Sequence, residues 1–368
     1  MKVTNQTISN QRLDYNDIAK SIGMLAIVWG HIRLGDWTTA FVYSWHIPLF
    51  FILSGMMFNK DKYVDIKSFL MRKVKTLLVP YVIYSFVTWI VWVVYAYITH
   101  ADVESYWMPL FQTFIAQGCG GFLIHNVPLW FVTCLFVMEF IYYFIADWKT
   151  LWILISSVLM ALFSYLMTEY SNTFDFKLMP WNIEVALLGL PLFALGNVVV
   201  RKFGHHHLSN WVNEHRGASV VIIIVGVVLM VVGSLINGSI NFGGANLRNP
   251  LITYPIALVG VICILIISIW LANTDACKQN HKLMQWLKFY GRNSYTSMAI
   301  HNPINGFMCV VVGVMFGCGA DAVSLNSYYS FLAFILTLVV SIIGILLINF
   351  VKSRISCHIA YHQSKKIS

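Results

Sequence analysis

Charge is scarce in this sequence. Only 11% of its 368 residues are charged, against 58% that are hydrophobic. A soluble domain carries roughly 25% charged residues, so this chain cannot cover a water-facing surface, and a soluble globular domain is excluded. Acids are the scarcest class, 15 against 24 Lys and Arg. The seven cysteines have neither disulfide nor zinc spacing. Cys134, Cys263 and Cys309 fall in apolar runs, where a thiol is usually a small hydrophobe. Cys119 and Cys318 both fall on the outer side and are read as free thiols. No basic stretch leads into a short apolar run with a small-residue cleavage site, so no cleavable signal peptide is expected. Low-complexity tracts and internal repeats are also missing, which argues against transporters built from two related halves. No metal site is expected, because His205–His207 reads as a solvated loop whose adjacent side chains do not converge.

Long apolar runs are what the sequence has instead, and its mean hydropathy is +0.71. A membrane helix needs about 20 mostly apolar residues. Ten runs qualify: 17–36, 40–59, 76–99, 128–146, 151–167, 183–200, 218–236, 250–272, 293–316 and 329–351. The fifth is short, and 108–124 is apolar enough to be re-entrant or interfacial. The expected fold is therefore all-α, a polytopic transmembrane bundle of about ten spans forming a single domain over 1–368. Residues 1–16 form a cytoplasmic leading segment and 352–368 a cytoplasmic tail.

The net charge of +9 lies between the apolar runs, so it reads as topology signal and lipid headgroup contact rather than a nucleic-acid surface. With the N-terminus inside, the inner segments collect twenty-one basic residues, from Lys2 and Arg12 to Lys365 and Lys366. The outer side keeps Arg33, Lys177 and Arg248. The positive-inside rule then puts both ends in the cytoplasm.

Ionisable groups inside a bilayer are costly and point to function. Here they are Lys20, His31, His46, Glu139, Glu184 and His301. Lys20 and His31 are eleven residues apart, close to three helical turns, so they share a face about 16 Å long with Met24 and Ile27 between them. Gly23 and Gly30 allow close helix packing, and Asp17 is one turn from Lys20. His46 falls at similar depth to His31, with Pro48 expected to bend its helix and free a carbonyl. His301, beside Asn302 and Pro303, suggests another broken helix. Imidazoles in such a place suit proton transfer near neutral pH; on position alone they equally suit bonds between helices. At the inner face Arg72, Lys73 and Lys75 precede the third span and Arg292 opens the ninth. They read either as anchors or as a site for an anionic phosphate compound. The loop 100–127 carries glycine and aromatic residues but neither Lys nor Arg, and reads as an interfacial segment or a cover over a sugar.

Five stretches carry a resemblance: LDYNDIAKSIGMLAIVWGH (13–31), WHIPLFFILSGMMF (45–58), FLMRKVKTLLVPY (69–81), PLWFVTCLF (128–136) and GRNSYTSMAIHNPI (291–304). In this order and spacing the chain resembles the acyltransferase-3 family of bacterial integral membrane acyltransferases. The form DIAKSIGMLAIVWGH is most similar to the sugar O-acetylase branch, of the fucose 4-O-acetylase type. The resemblance implies acyl transfer, usually of acetyl, from acyl-coenzyme A to a hydroxyl of a cell-surface glycan or its lipid-linked precursor, in the bacterial cytoplasmic membrane. It places His31 at the family's histidine and His301 at a late one; with His46, read from its position as orienting His31 or donating a proton, these are the catalytic candidates, His31 as general base or as a transiently acylated group. Lys20 stands where the family usually has arginine, and it keeps the charge without the bidentate geometry. Donor binding would fall to Lys20, Arg72, Lys75 and Arg292. A transporter or flippase of a glycan or polar metabolite, without acyl chemistry, is the competing reading.

Overall fold

The computed structural model describes residues 13–32, 35–174, 179–279 and 281–364. Lys2, Arg12, Arg33, Lys177, Lys365 and Lys366, used above to orient the chain, lie outside the described residues, as do 1–12 and 365–368 of the two terminal segments. The fold is an all-α bundle, and its one β feature among the described residues is a single bridge between Asn241 and Asn246.

The helices are α1 (Asp14–Ile32), α2 (Asp36–Tyr43), α3 (His46–Met57), α4 (Ile66–Ile98), α5 (Met108–Ile115), α6 (Val127–Ile145), α7 (Thr150–Phe174), α8 (Ile183–Glu214), α9 (Arg216–Asn237), α10 (Pro250–Ala272), α11 (Lys282–Arg292), α12 (Ser294–Met315) and α13 (Ser327–Ser364). Among the described residues nine segments, α2 and α3 together making one, are long and apolar enough to cross a membrane. The tenth expected span, α1, falls below that standard because Asp14, Asp17, Lys20 and His31 lower its hydropathy. It is instead enclosed by protein: α3, α10, α11 and α12 pack around it, and most of its residues are buried.

The core centres on α3, which is apolar on every side, as a helix surrounded by protein must be. A methyl group at Gly55 would strike the carbonyl of Phe193, and one at Gly196 would strike that of Ile52. Glycine at both positions lets α3 and α8 touch backbone to backbone. Asn197 fixes the pair by donating to Gly55 O (3.0 Å) and Phe58 O (2.7 Å) while its own Oδ1 accepts from Tyr142. Around the bundle, α4, α7 and α9 present large exposed apolar side chains such as Phe86, Phe163 and Leu229. An apolar belt of this extent is a lipid-facing surface.

The segments assigned to one side of the membrane meet there. Lys60 bonds Asp147 (2.5 Å), Arg201 donates to Ala146 O, and Asp14 accepts from Lys288 (3.1 Å). At the other end Gly118 N donates to Asn182 Oδ1 (3.0 Å) and Trp181 Nε1 to Phe114 O (2.9 Å).

Several boundaries differ from the sequence reading. The third span starts at Ile66, ten residues early, because Asp65 and Ser68 form a reciprocal capping box. Arg72, Lys73 and Lys75 therefore lie on the helix rather than before it. The turn 74–78 is widened into π geometry just before Pro80, where the proline ring crowds the carbonyl four residues back. The fifth span is not short but runs 25 residues as α7. In the second, the helix is interrupted at Ser44–Trp45, where Pro48 leaves the carbonyl of Ser44, four residues back, without its helical donor. Proline sits in the first turn of α3, where its missing N–H costs little. The sixth span continues to Glu214 with a break at Gly204 (φ 75°), so His205–His207 are helical and not in a loop. Residues 352–364 of the tail continue α13. The segment 108–124 does not cross: α5 has only 8 residues, and the chain then folds inward to bury Gln117, His125 and Asn126.

Pro303 does not break α12, which continues through it. A proline at 303 leaves Ala299 O without its helical donor. Asn126, fully buried, supplies the replacement through its Nδ2 at 2.6 Å. Asn126→Leu is therefore expected to destabilise the protein by about 1–3 kcal/mol, seen as a lower thermal-unfolding midpoint in detergent. An unchanged midpoint would show that this bond contributes nothing.

Candidate active site

A cavity of about 920 Å³ runs through the bundle between α1, α2, α3, α6 and α12. Lys20, Met24, Ile27 and His31 all line it. Their spacing of 4, 3 and 4 is the helical repeat that places one row of side chains on one face. Gly23 and Gly30, off that row, give room to Phe50 and Tyr43.

His31 and His46 line the cavity, and His301 stands behind His31, fully buried. The rings of His31 and His301 are 5.2 Å apart, and those of Tyr43 and His46 are 5.0 Å apart. The three histidines predicted separately thus form one group. Local backbone decides the tautomers of two of them. His46 Nδ1 lies 2.8 Å from Val42 O, and His301 Nδ1 lies 2.9 Å from Met298 O and 3.1 Å from Ser297 O. A carbonyl only accepts, so each Nδ1 carries the proton and each Nε2 keeps a bare lone pair. The Nε2 of His301 has no hydrogen-bond partner despite complete burial. His31 also has its backbone anchored, since Asn305 Nδ2 donates to His31 O at 3.4 Å.

The basic end of the cavity is formed by Lys20, Ser54, Leu77, Ser294 and Tyr295. Tyr295 donates to Leu77 O (2.9 Å), tying α12 to α4. Of the other predicted donor-binding residues, Arg72 and Lys75 are exposed on α4, and Arg72 lies over the Tyr63 ring at 5.8 Å. Arg292 is engaged by α1: its Nε donates to Asp17 (2.9 Å), and its guanidinium lies 3.7 Å from Asp14. Asp17, one turn from Lys20 on α1, thus also bonds Arg292. Lys352 lies 5.9 Å from the ring of Tyr84, which in turn lies 5.9 Å from that of Tyr295.

Glu139 and Glu184 stand apart from the histidines. Glu139 pairs with Lys73 at 2.6 Å, with side-chain exposures of 7% and 16%. Glu184 is buried behind the re-entrant loop, its backbone carbonyl accepting from Ser164 (2.8 Å).

The opposite end is walled by Asp36, Trp37 and Tyr43 from the α2 region, by Gly118 and Trp130, and by the loop Gly238–Gly243. These were not foreseen. Asp36, a lone acid at the outer end of a span, and the glycines of GSINFGG were the available signals. Of the loop 100–127, Gly118 and Val127 reach the cavity. His125 does not line the cavity; burial pushes its pKa down to about 4, and both ring nitrogens lack hydrogen-bond partners among the described residues.

The fold and site define a polytopic helical membrane protein with a histidine-lined internal cavity. A family model, Acyl_transf_3, an acyltransferase domain, matches residues 13–351. The chain belongs to this family and is a membrane acyltransferase. No curated protein and no solved structure matches it.

Proposed function

We propose that the protein moves an acetyl or other short acyl group from acyl-coenzyme A to a hydroxyl of a cell-surface or exported carbohydrate, in the bacterial cytoplasmic membrane. The sugar O-acetylase branch is the specific assignment. The observation that carries this reading is the continuous stripe Lys20–Met24–Ile27–His31 along one cavity. Its length of about 16 Å suits an extended pantetheine arm.

The donor's phosphates rest at the basic end, where Lys20 faces the cavity and Arg72 and Lys75 are exposed to meet them. His31 takes the proton of the acceptor hydroxyl as that oxygen attacks the thioester carbonyl. The tetrahedral intermediate collapses with cleavage of the C–S bond. The departing thiolate recovers the proton from His31, giving coenzyme A and the ester. The ring of His301 lies 5.2 Å from that of His31 and His46 lines the same cavity, so both act as positioning groups for the base. Arg292, held by two aspartates, positions α11 against α1 rather than binding donor.

The test is calorimetry of acetyl-coenzyme A binding to the protein in detergent, paired with transfer of labelled acetyl to glycan. Wild type is expected to bind saturably, and Arg72→Ala/Lys75→Ala to weaken binding about tenfold or more, the loss of two charge-assisted contacts. Glycan movement with no binding and no labelled product would overturn the reading in favour of a transporter.

A further inference from the structure

A second cavity, of about 580 Å³, lies across α3 from the first. Ile52 and Met56 face it, whereas Phe50 and Ser54, on the same helix, face the reaction cavity. Its long walls are α8 and α10. Along α10 the lining runs Leu258, Val261, Ile262, Leu265, Ile266 and Ile269, one continuous helical face. From Leu258 to Ile269 the helix rises about 16 Å, half of a hydrocarbon core about 30 Å thick.

The two ends of this cleft differ. The deep end, at Leu195 and Leu258, is pure hydrocarbon. The other reaches the basic end of the bundle, where α8 turns at Gly204 and sets Phe203, His207 and Trp211 along the mouth. Phe203 and His207 stack at 6.0 Å, and the ammonium of Lys202 lies 5.2 Å from the Phe203 ring. A cleft one leaflet deep, apolar within and cationic at the rim, is complementary to a lipid with an anionic headgroup. A packed helix does not suit it: about 10 Å across and 16 Å long, it would occupy on the order of 1,200 Å³.

We propose that this cleft binds one acyl chain of an anionic phospholipid from the leaflet on the basic side, its phosphate held by Lys202 and His207. Trp211 then lies at headgroup level, where indoles collect, and the Lys202 ammonium at the rim faces the leaflet that carries anionic lipid. The bound chain packs behind α3, the helix that begins at His46, so it braces one wall of the reaction cavity. This proposal does not depend on which acyl acceptor the enzyme uses.

The full chain would be reconstituted into nanodiscs of phosphatidylcholine alone or mixed with phosphatidylglycerol. Expected is a thermal-unfolding midpoint several degrees higher with phosphatidylglycerol, and one such lipid retained per chain in native mass spectrometry. Lys202→Ala/His207→Ala, both exposed, should keep the phosphatidylcholine midpoint and lose the difference. Val199→Phe, which fills the cleft, should lose the retained lipid; if it does not fold, the charge variant still decides. Equal midpoints for wild type in the two lipids, or undiminished retention by the charge variant, would overturn the proposal. So would a lipid-free dimer, which would assign the cleft to a second copy.

Discussion

His31→Ala is expected to lower acyl transfer by about 10²–10⁴-fold, the usual contribution of a positioned general base. Folding should be untouched. His31 faces a cavity rather than the packed core, so removing its ring enlarges an existing space and leaves the helix contacts of α1 in place. Donor affinity should change little, because Lys20, attributed to phosphate binding, lies three helical turns away on α1. The measurement is initial rate against acetyl-coenzyme A concentration, with the unfolding midpoint as control. A fall in rate at constant midpoint and constant apparent donor requirement is the predicted pattern. Full activity would remove His31 from the mechanism. His46→Gln and His301→Gln should give smaller losses, since each acts through His31 in this scheme.

Glu139→Ala should be the most damaging single change to stability, by about 3–5 kcal/mol, because it strands the largely buried ammonium of Lys73. The effect belongs to the unpaired charge and not to the pair. The double variant Lys73→Met/Glu139→Leu, which removes both charges, should therefore recover most of the loss. Detergent unfolding midpoints of the three proteins check this. A double variant as unstable as Glu139→Ala would show that the pair itself, through its geometry, holds α4 to α6.

The stripe on α1 was legible because a helix of known period needs only spacing to place Lys20, Met24, Ile27 and His31 together. The alternation of sides was legible because basic residues avoid crossing the membrane. The same logic held at Pro48 and failed at Pro303. Pro48 and Pro303 each announce a lost hydrogen bond, but sequence does not say where the strain is taken up. At Pro48 it appears a turn earlier, at Ser44–Trp45. At Pro303 it is absorbed without a break, because Asn126, 173 residues away in sequence, donates to the orphaned carbonyl. Arg292 is ambiguous in sequence for a related reason. A cation at a helix end looks the same whether it awaits a phosphate or already holds two carboxylates, and the carboxylates come from the opposite end of the chain.

By itself the sequence determined that this chain is a helical membrane protein, which end of each helix is basic, and which face of the first helix is polar. These follow from composition and local periodicity, which the bilayer makes nearly obligatory. Tertiary structure alone decided that His31, His46 and His301 converge, that Lys73 is spent on Glu139, and that a second, apolar cleft lies behind α3. Those facts depend on how helices distant in sequence pack, and packing is set by pairwise contacts, such as Gly55 against Phe193 and Gly291 against Asp17, that no local pattern encodes.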